Sequence, residues 1–113
     1  MRYLLVLGIA VFIYACGTSK ATVPTSDDLT RAQAAHPEYT MEDLQEGRRL
    51  YTTYCGSCHP LKKPASRDEQ DWRQIVPSMA GKANKKAKSE VITAAGTEQI
   101  IRYLTAMGTI QRN

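Results

Sequence analysis

The segment YCGSCHP, residues 54–60, brings two cysteines and a histidine together in a chain with three cysteines and two histidines in all. Two residues separate Cys55 from Cys58, and His59 follows directly. Cysteine pairs at this spacing have three common uses, which are a structural zinc site, a redox-active dithiol and covalent attachment of haem. Each use needs different residues elsewhere, so the rest of the chain decides among them.

The zinc and dithiol interpretations find little support elsewhere in the sequence. A structural zinc ion needs four ligands, yet only His36 remains besides His59, and His59 adjoins Cys58 awkwardly for a shared tetrahedral ion. A thioredoxin-like pair would follow a strand, and no strand pattern is visible. C-x-x-C-H is the signature of c-type haem, with thioether bonds from both cysteines and an iron ligand from the histidine. The motif therefore favours one covalent haem c.

The N-terminus is typical of an exported protein. Residues 1–15 contain Arg2 and then an apolar run from Leu4 to Ala15, which is shorter than the roughly 20 residues of a membrane-spanning helix. We therefore predict a signal peptide. The sequence Ile13-Tyr14-Ala15-Cys16 resembles the lipobox of bacterial lipoproteins, which implies lipidation of Cys16. A plain secretory signal or an uncleaved anchor is the alternative.

Export and lipidation predict a location in the cell envelope. The residue after the lipidated cysteine is Gly17 and not aspartate, which is similar to lipoproteins that Gram-negative bacteria sort to the outer membrane. This similarity implies an outer-membrane anchor with the domain facing the periplasm. Residues 16–40 are small and polar and include Pro24 and Pro37. They predict a flexible tether with a reach of roughly a few tens of ångströms. Residues 41–113 are the predicted domain.

The remaining pattern is helical throughout, which predicts an all-α domain. Thr40 is the expected N-cap of a first helix whose apolar face leads into Cys55. A second helix is expected from Ser66, three residues before Glu69 as in a capping box. Pro77 should bend or end this helix and leave Met79 near a loop. A last helical stretch lies between Ser89 and Met107. It is either one helix or two helices divided at Gly96.

Residues 44–104 resemble a class I type monohaem cytochrome c, and the run CGSCHPLKKP is similar to short bacterial lipoprotein cytochromes. Gly47, Tyr51 and Cys55 recur at four-residue intervals, as the family's first helix has a glycine, an aromatic residue and then the haem motif. The resemblance implies a small cytochrome c fold of three to five helices around one covalent haem. It also implies a close crossing of the first and last helices at Gly47, with Tyr51 and Tyr103 beside it.

The resemblance also implies the sixth iron ligand. In the family, the distal methionine lies between the haem motif and the last helix, which selects Met79 rather than Met41 or Met107. The alternatives are that Met79 only packs in the core, that His36 is the ligand, or that the iron is five-coordinate. His36 precedes Pro37 in the predicted tether, where an exposed role is more common.

The predicted function is a membrane-tethered periplasmic electron carrier and not an enzyme. Axial His59 and Met79 would leave no vacant iron site for a substrate. A five-coordinate haem sensor, a small haem enzyme and a haem subunit of a larger oxidoreductase are the alternatives. Expected partners are a redox donor and acceptor. Lysines near the ligand segments would attract partners with acidic docking surfaces, and the alternative is that these lysines are only a solvated surface. Nucleic acid is excluded because the protein is exported and lacks aromatic residues interleaved with basic ones. The lysines are Lys62, Lys63, Lys82, Lys85, Lys86 and Lys88.

Overall fold

Helices account for the regular structure of the protein. The computed structural model describes residues 21–57 and 59–109. These residues form four α-helices and two short turns, and no strand occurs among them. The predicted all-α class is confirmed. The helices are α1 (Ser26–Ala35), α2 (Met41–Leu50), α3 (Glu69–Ala87) and α4 (Ala94–Gly108), with a π-helical turn at Tyr51–Cys55 and a 3-10 turn at Pro64–Ser66.

Several predictions concern residues outside these ranges. The signal peptide at residues 1–15, the lipidation site Cys16 and the second cysteine of the motif, Cys58, all lie outside the described residues. Within the described ranges, no helix combines the length and the apolar character needed to cross a membrane.

Threonine side chains begin three of the helices. Thr40 caps α2 as predicted, because its hydroxyl accepts a hydrogen bond from the Asp43 N–H at 3.1 Å and the Asp43 carboxylate accepts from the Thr40 N–H. Thr25 begins α1 with the same reciprocal arrangement. Thr93 begins α4 and accepts from the Gly96 N–H at 3.0 Å. Gly96 therefore lies in the first turn of α4 and does not divide the last helix.

The start of α3 differs from the prediction. Asp68 is the N-cap, and its carboxylate accepts a hydrogen bond from the Asp71 N–H at 2.9 Å. Ser66 instead ends the preceding 3-10 turn, where its hydroxyl donates to the Lys63 carbonyl. Ser66 and Asp68 are both residues that can cap a helix. Ser66 is part of the 3-10 turn, so Asp68 caps α3.

Pro77 does not end α3, which continues to Ala87. Proline removes one helical hydrogen bond, here to the Arg73 carbonyl. Buried side chains before and after Pro77 hold that face of the helix against the core, which offsets this loss. Met79 consequently lies in the middle of a 19-residue helix and not near a loop. The buried residues are Trp72, Val76, Ala80 and Ala83.

The structure also differs from the predicted tether, because residues 21–40 are part of the folded domain. They contain α1, and Tyr39 is only 1% exposed. The Tyr103 hydroxyl donates to the Thr22 carbonyl at 2.8 Å, and Arg48 Nε donates to the Ala21 carbonyl at 2.8 Å. These contacts join segments far apart in the chain, so local composition does not reveal them.

The closest helix contact is the crossing of α2 and α4 at Gly47. A Cβ at this position would lie 2.7 Å from the Gln99 carbonyl carbon and 2.8 Å from Tyr103 Cβ, and closer still to the Gln99 carbonyl oxygen. One turn later, the rings of Tyr51 and Tyr103 pack with centroids 6.2 Å apart. The crossing that the cytochrome c resemblance implied is therefore present in the structure. Its glycine permits the backbone contact.

A chain of ion pairs crosses the surface from α3 to α2. Arg73 pairs with Glu69 at 3.0 Å and with Glu98 at 2.9 Å, and Arg102 joins Glu98 to Asp43. The hydrogen bond from Arg73 is the main reason that the pKa of Glu98 is lowered from 4.5. Because the pKa of Glu98 is lower in the folded protein than in the unfolded chain, Glu98 stabilises the fold at pH values above its ordinary pKa. This contribution is lost as the pH falls through the folded pKa. Because these side chains are partly exposed, their contribution is small.

Replacing Gly47 with alanine should destabilise the protein by about 3 kcal/mol, because the new methyl group overlaps the α4 backbone, which cannot move without disturbing the core. Urea denaturation of the variant measures this loss. Gly81→Ala is the matched control, since nothing lies within 4 Å of a Cβ there. It should be neutral or stabilising by up to about 1 kcal/mol, as expected for alanine in a helix. Equal stabilities for the two variants would contradict the close crossing.

Candidate functional site

Three of the predicted haem-site residues line one cavity. Cys55, His59 and Met79 surround a space of about 110 Å³, together with Tyr54, Lys82 and Ala83. Cys55 and His59 come from the end of the π-helical turn and the loop after it, and Met79 comes from the middle of α3. Residues 20 or more positions apart in the chain therefore meet in the way that the sequence predicted.

The π-helical turn at Tyr51–Cys55 determines how α2 enters the motif. Tyr51 and Cys55 are both buried, whereas Thr52 and Thr53 between them are exposed. π-Helical turns are rare and often occur at functional sites. The sequence did not reveal this turn, because an apolar spacing of three and four residues predicts an ordinary α-helix. Cys55 is 6% exposed, so its side chain is held toward the core.

His59 is exposed, and a neighbouring carbonyl orients its ring. The Nδ1 atom lies 3.0 Å from the Pro60 carbonyl oxygen. A carbonyl oxygen can only accept a hydrogen bond, so Nδ1 must carry the proton in this contact. In the neutral ring, Nε2 then carries the lone pair that a metal ion requires.

Hydrogen bonds from Tyr51 and Lys86 help to hold the loop after Cys55, of which residues 56–57 and 59–63 are described. The Tyr51 hydroxyl donates to the Lys62 carbonyl at 2.5 Å, and Lys86 Nζ donates to the Ser57 carbonyl at 3.0 Å. Burial raises the pKa of Tyr51 to about 12, with a smaller contribution from Cys55. The phenol therefore remains a donor at neutral pH. The loop is connected to the π-helical turn through Tyr51 and to α3 through Lys86.

The other candidate iron ligands lie elsewhere. Met107 is 4% exposed in the core on α4, and Met41 begins α2. His36 stacks on Tyr39 with ring centroids 4.6 Å apart, and its Nε2 lies 3.1 Å from a Glu69 oxygen. None of these three residues is among the described residues that line the Cys55 cavity. Across residues 21–57 and 59–109, no three histidine, cysteine, aspartate or glutamate side chains form a group able to hold a metal ion.

The side chains at the cavity are of the types that hold a haem, but the cavity is small for one. An imidazole nitrogen, a thioether sulfur and a cysteine thiol border the same space, which is the donor set of a c-type haem with His and Met ligands. Small-molecule pockets, however, usually measure roughly 300 to 1,000 Å³. At about 110 Å³, the space cannot enclose a macrocycle unless the loop at residues 56–63 and α3 separate.

Comparison with known proteins gives no further assignment. The chain matches no known protein family, and no curated protein or solved structure is significantly similar to it. The function of the site is therefore inferred from its own residues.

Replacing Tyr51 with phenylalanine should cost about 1 kcal/mol of stability, the usual contribution of one hydrogen bond. Hydrogen exchange at residues 59–63 should also become faster, because this part of the loop loses the hydrogen bond from Tyr51 to Lys62. Tyr103→Phe is the matched control, since its hydroxyl bonds to Thr22 and not to this loop. It should cost a similar free energy and leave exchange in the loop unchanged. Equal exchange in Tyr51→Phe and the wild type would show that Tyr51 does not hold the loop.

Proposed function

We propose that this protein is an exported electron carrier with one covalent haem c. In this proposal, Cys55 and Cys58 form the thioether bonds, and His59 and Met79 are the axial ligands. The observation that carries the proposal is that Met79, selected by its order in the chain, lines the same cavity as Cys55 and His59 of the C-x-x-C-H motif. A small cytochrome c fold is part of this proposal.

The protein's own residues would each have a defined role in the carrier. When bound, a haem supplies a one-electron couple between ferric and ferrous iron. The two cysteines prevent loss of the cofactor from an exported protein. Pro60 orients the His59 ring through its carbonyl group, and Met79 closes the distal side and favours a higher reduction potential. If His59 and Met79 both held the iron, the chain would leave it no free site for a substrate.

A five-coordinate haem sensor or small haem enzyme is the second candidate. One observation favours it: Met79 is held inside a continuous helix and not on a loop that can move independently. If α3 moves away as a unit when the site opens, Met79 would move with it, and His59 would then be the side chain left to hold the iron. A haem subunit of a larger oxidoreductase would use the same residues as the carrier.

The proposed location is the cell envelope. Lipid on Cys16 would anchor the protein, and Gly17 favours the outer membrane with the domain facing the periplasm. Redox partners would then meet the domain at a membrane surface.

The surface beside the cavity is basic, which supports partners with acidic docking surfaces. Lys82 lines the cavity itself. The other lysines follow His59 or lie in and after the second half of α3, and all are exposed. Exposed charges of one sign raise the rate of encounter with partners of opposite charge, and salt weakens this effect.

Replacing Met79 with alanine tests the ligand assignment through the absorption spectra of ferric and ferrous protein. The wild type should be low-spin with a weak red iron–sulfur band, and this band should disappear in Met79→Ala, which should bind carbon monoxide. Met41→Ala is the control, because Met41 is half-buried at the start of α2 and does not line the cavity. It should retain the wild-type spectrum.

Two outcomes would contradict the electron-carrier proposal in different ways. A wild-type protein without covalently attached haem, judged by the mass of the purified chain, would remove the cofactor altogether. A wild-type spectrum that is high-spin and changes with carbon monoxide would retain the haem and make the sensor or enzyme the better proposal.

Replacing Lys82 with glutamate should slow oxidation of the reduced protein by ferricyanide, an anionic oxidant, by up to about tenfold at low salt. The difference from the wild type should diminish as ionic strength rises. Arg67→Glu is the control, since it makes the same change of charge at a residue outside this cavity. If both variants are slowed equally, only net charge matters and the lysine surface has no local role. Stopped-flow absorbance measures the rates.

A further inference from the structure

A second and larger cavity lies away from Cys55, between α1, the start of α3 and the end of α4. Its volume is about 240 Å³. Arg31 and Tyr39 line it, Arg67 lies just before α3, and Thr105 lies on α4. It shares no lining residue with the cavity at Cys55. Nothing in the proposed electron carrier requires this space.

Three buried polar atoms without a hydrogen-bond partner belong to residues that line this cavity. They are Arg31 Nε, Tyr39 Oη and Thr105 Oγ1. Tyr39 is 1% exposed, so water outside the protein does not reach its hydroxyl. Buried polar atoms are nearly always paired, and each unpaired atom destabilises the fold. Their grouping around one cavity indicates a molecule that pairs with them.

The chemistry of these atoms requires an acceptor in the bound molecule. Arg31 Nε can only donate a hydrogen bond, and the two hydroxyl groups can also donate. Burial is the main reason that the pKa of Tyr39 is raised to about 12, so its hydroxyl carries a proton at neutral pH.

Most charges around the cavity are already engaged. Arg31 pairs with Asp28 at 2.7 Å through a terminal nitrogen, and its Nε has no partner. Glu69 is already held by Arg73 and His36, and Asp68 caps α3. Arg67 takes part in none of the ion pairs found among the described residues. Apolar side chains form the rest of the wall. They are Ala32, Ala35, Leu104 and Ala106.

We propose that this cavity binds a small carboxylate with a short aliphatic chain. The carboxylate oxygens accept hydrogen bonds from Arg31 Nε, Tyr39 Oη and Thr105 Oγ1, and the aliphatic part contacts the alanines and Leu104. The volume, just below the roughly 300 Å³ at which typical ligand pockets begin, matches a small molecule.

Titration of the full-length protein with butyrate, followed by calorimetry, tests the proposal. The wild type should bind butyrate saturably and prefer it to butyramide, which has the same size without the charge. Tyr39→Phe and Thr105→Val should each weaken binding by about tenfold, the effect of losing one hydrogen bond to a charged group. Butyrate should also raise the unfolding temperature of the wild type more than that of either variant.

Tyr103→Phe is the matched control, because it removes a buried tyrosine hydroxyl that already bonds to Thr22 and does not line the cavity. It should bind butyrate as the wild type does. Tyr39→Phe removes a hydroxyl without a partner, so it should fold with unchanged or higher stability. Absence of saturable binding would overturn the proposal and assign the cavity to water. Equal affinity in the wild type, Tyr39→Phe and Thr105→Val would overturn it as well. Neither result depends on whether haem is attached.

Discussion

The backbone contact between α2 and α4 at Gly47 is the constraint on which the rest of the structure depends. Because no side chain separates the two helices there, Tyr51 reaches Tyr103 one turn later. The π-helical turn continues from this point and ends at Cys55. The depth at which the cysteine motif enters the domain is therefore determined by a glycine two turns before it.

The contacts around the motif connect all parts of the domain to the same loop. Tyr51 and Lys86 hold the loop to the π-helical turn and to α3. On the surface, the ion pairs of Arg73 and Arg102 connect α3 to α4 and α4 to α2. The interior contacts carry most of the stabilisation, since exposed ion pairs contribute little. The Gly47 crossing involves none of the residues that line the small cavity at Cys55.

Local signals in the sequence predicted the local structure well. The Thr40 cap and the all-α class could be predicted, because a cap and a helical period are each encoded by nearby residues. The π-helical turn, the course of α3 through Pro77 and the folding of residues 21–40 could not. Each depends on distant packing, such as the bond between Tyr103 and Thr22, which are 81 residues apart. The three polar atoms at the second cavity were missed for the same reason, since they come from separate elements.

The folding of residues 21–40 changes how far the domain can travel. If lipid is attached to Cys16, only residues 17–20 lie between the anchor and Ala21, whose carbonyl is already bonded to Arg48. A fully extended chain covers at most about 3.6 Å per residue, so the domain could move no more than about 18 Å from its anchor. It would then stay against the lipid headgroups and turn in place. If the protein carries electrons as proposed, its partners would have to reach that surface, because the domain could not move out to them.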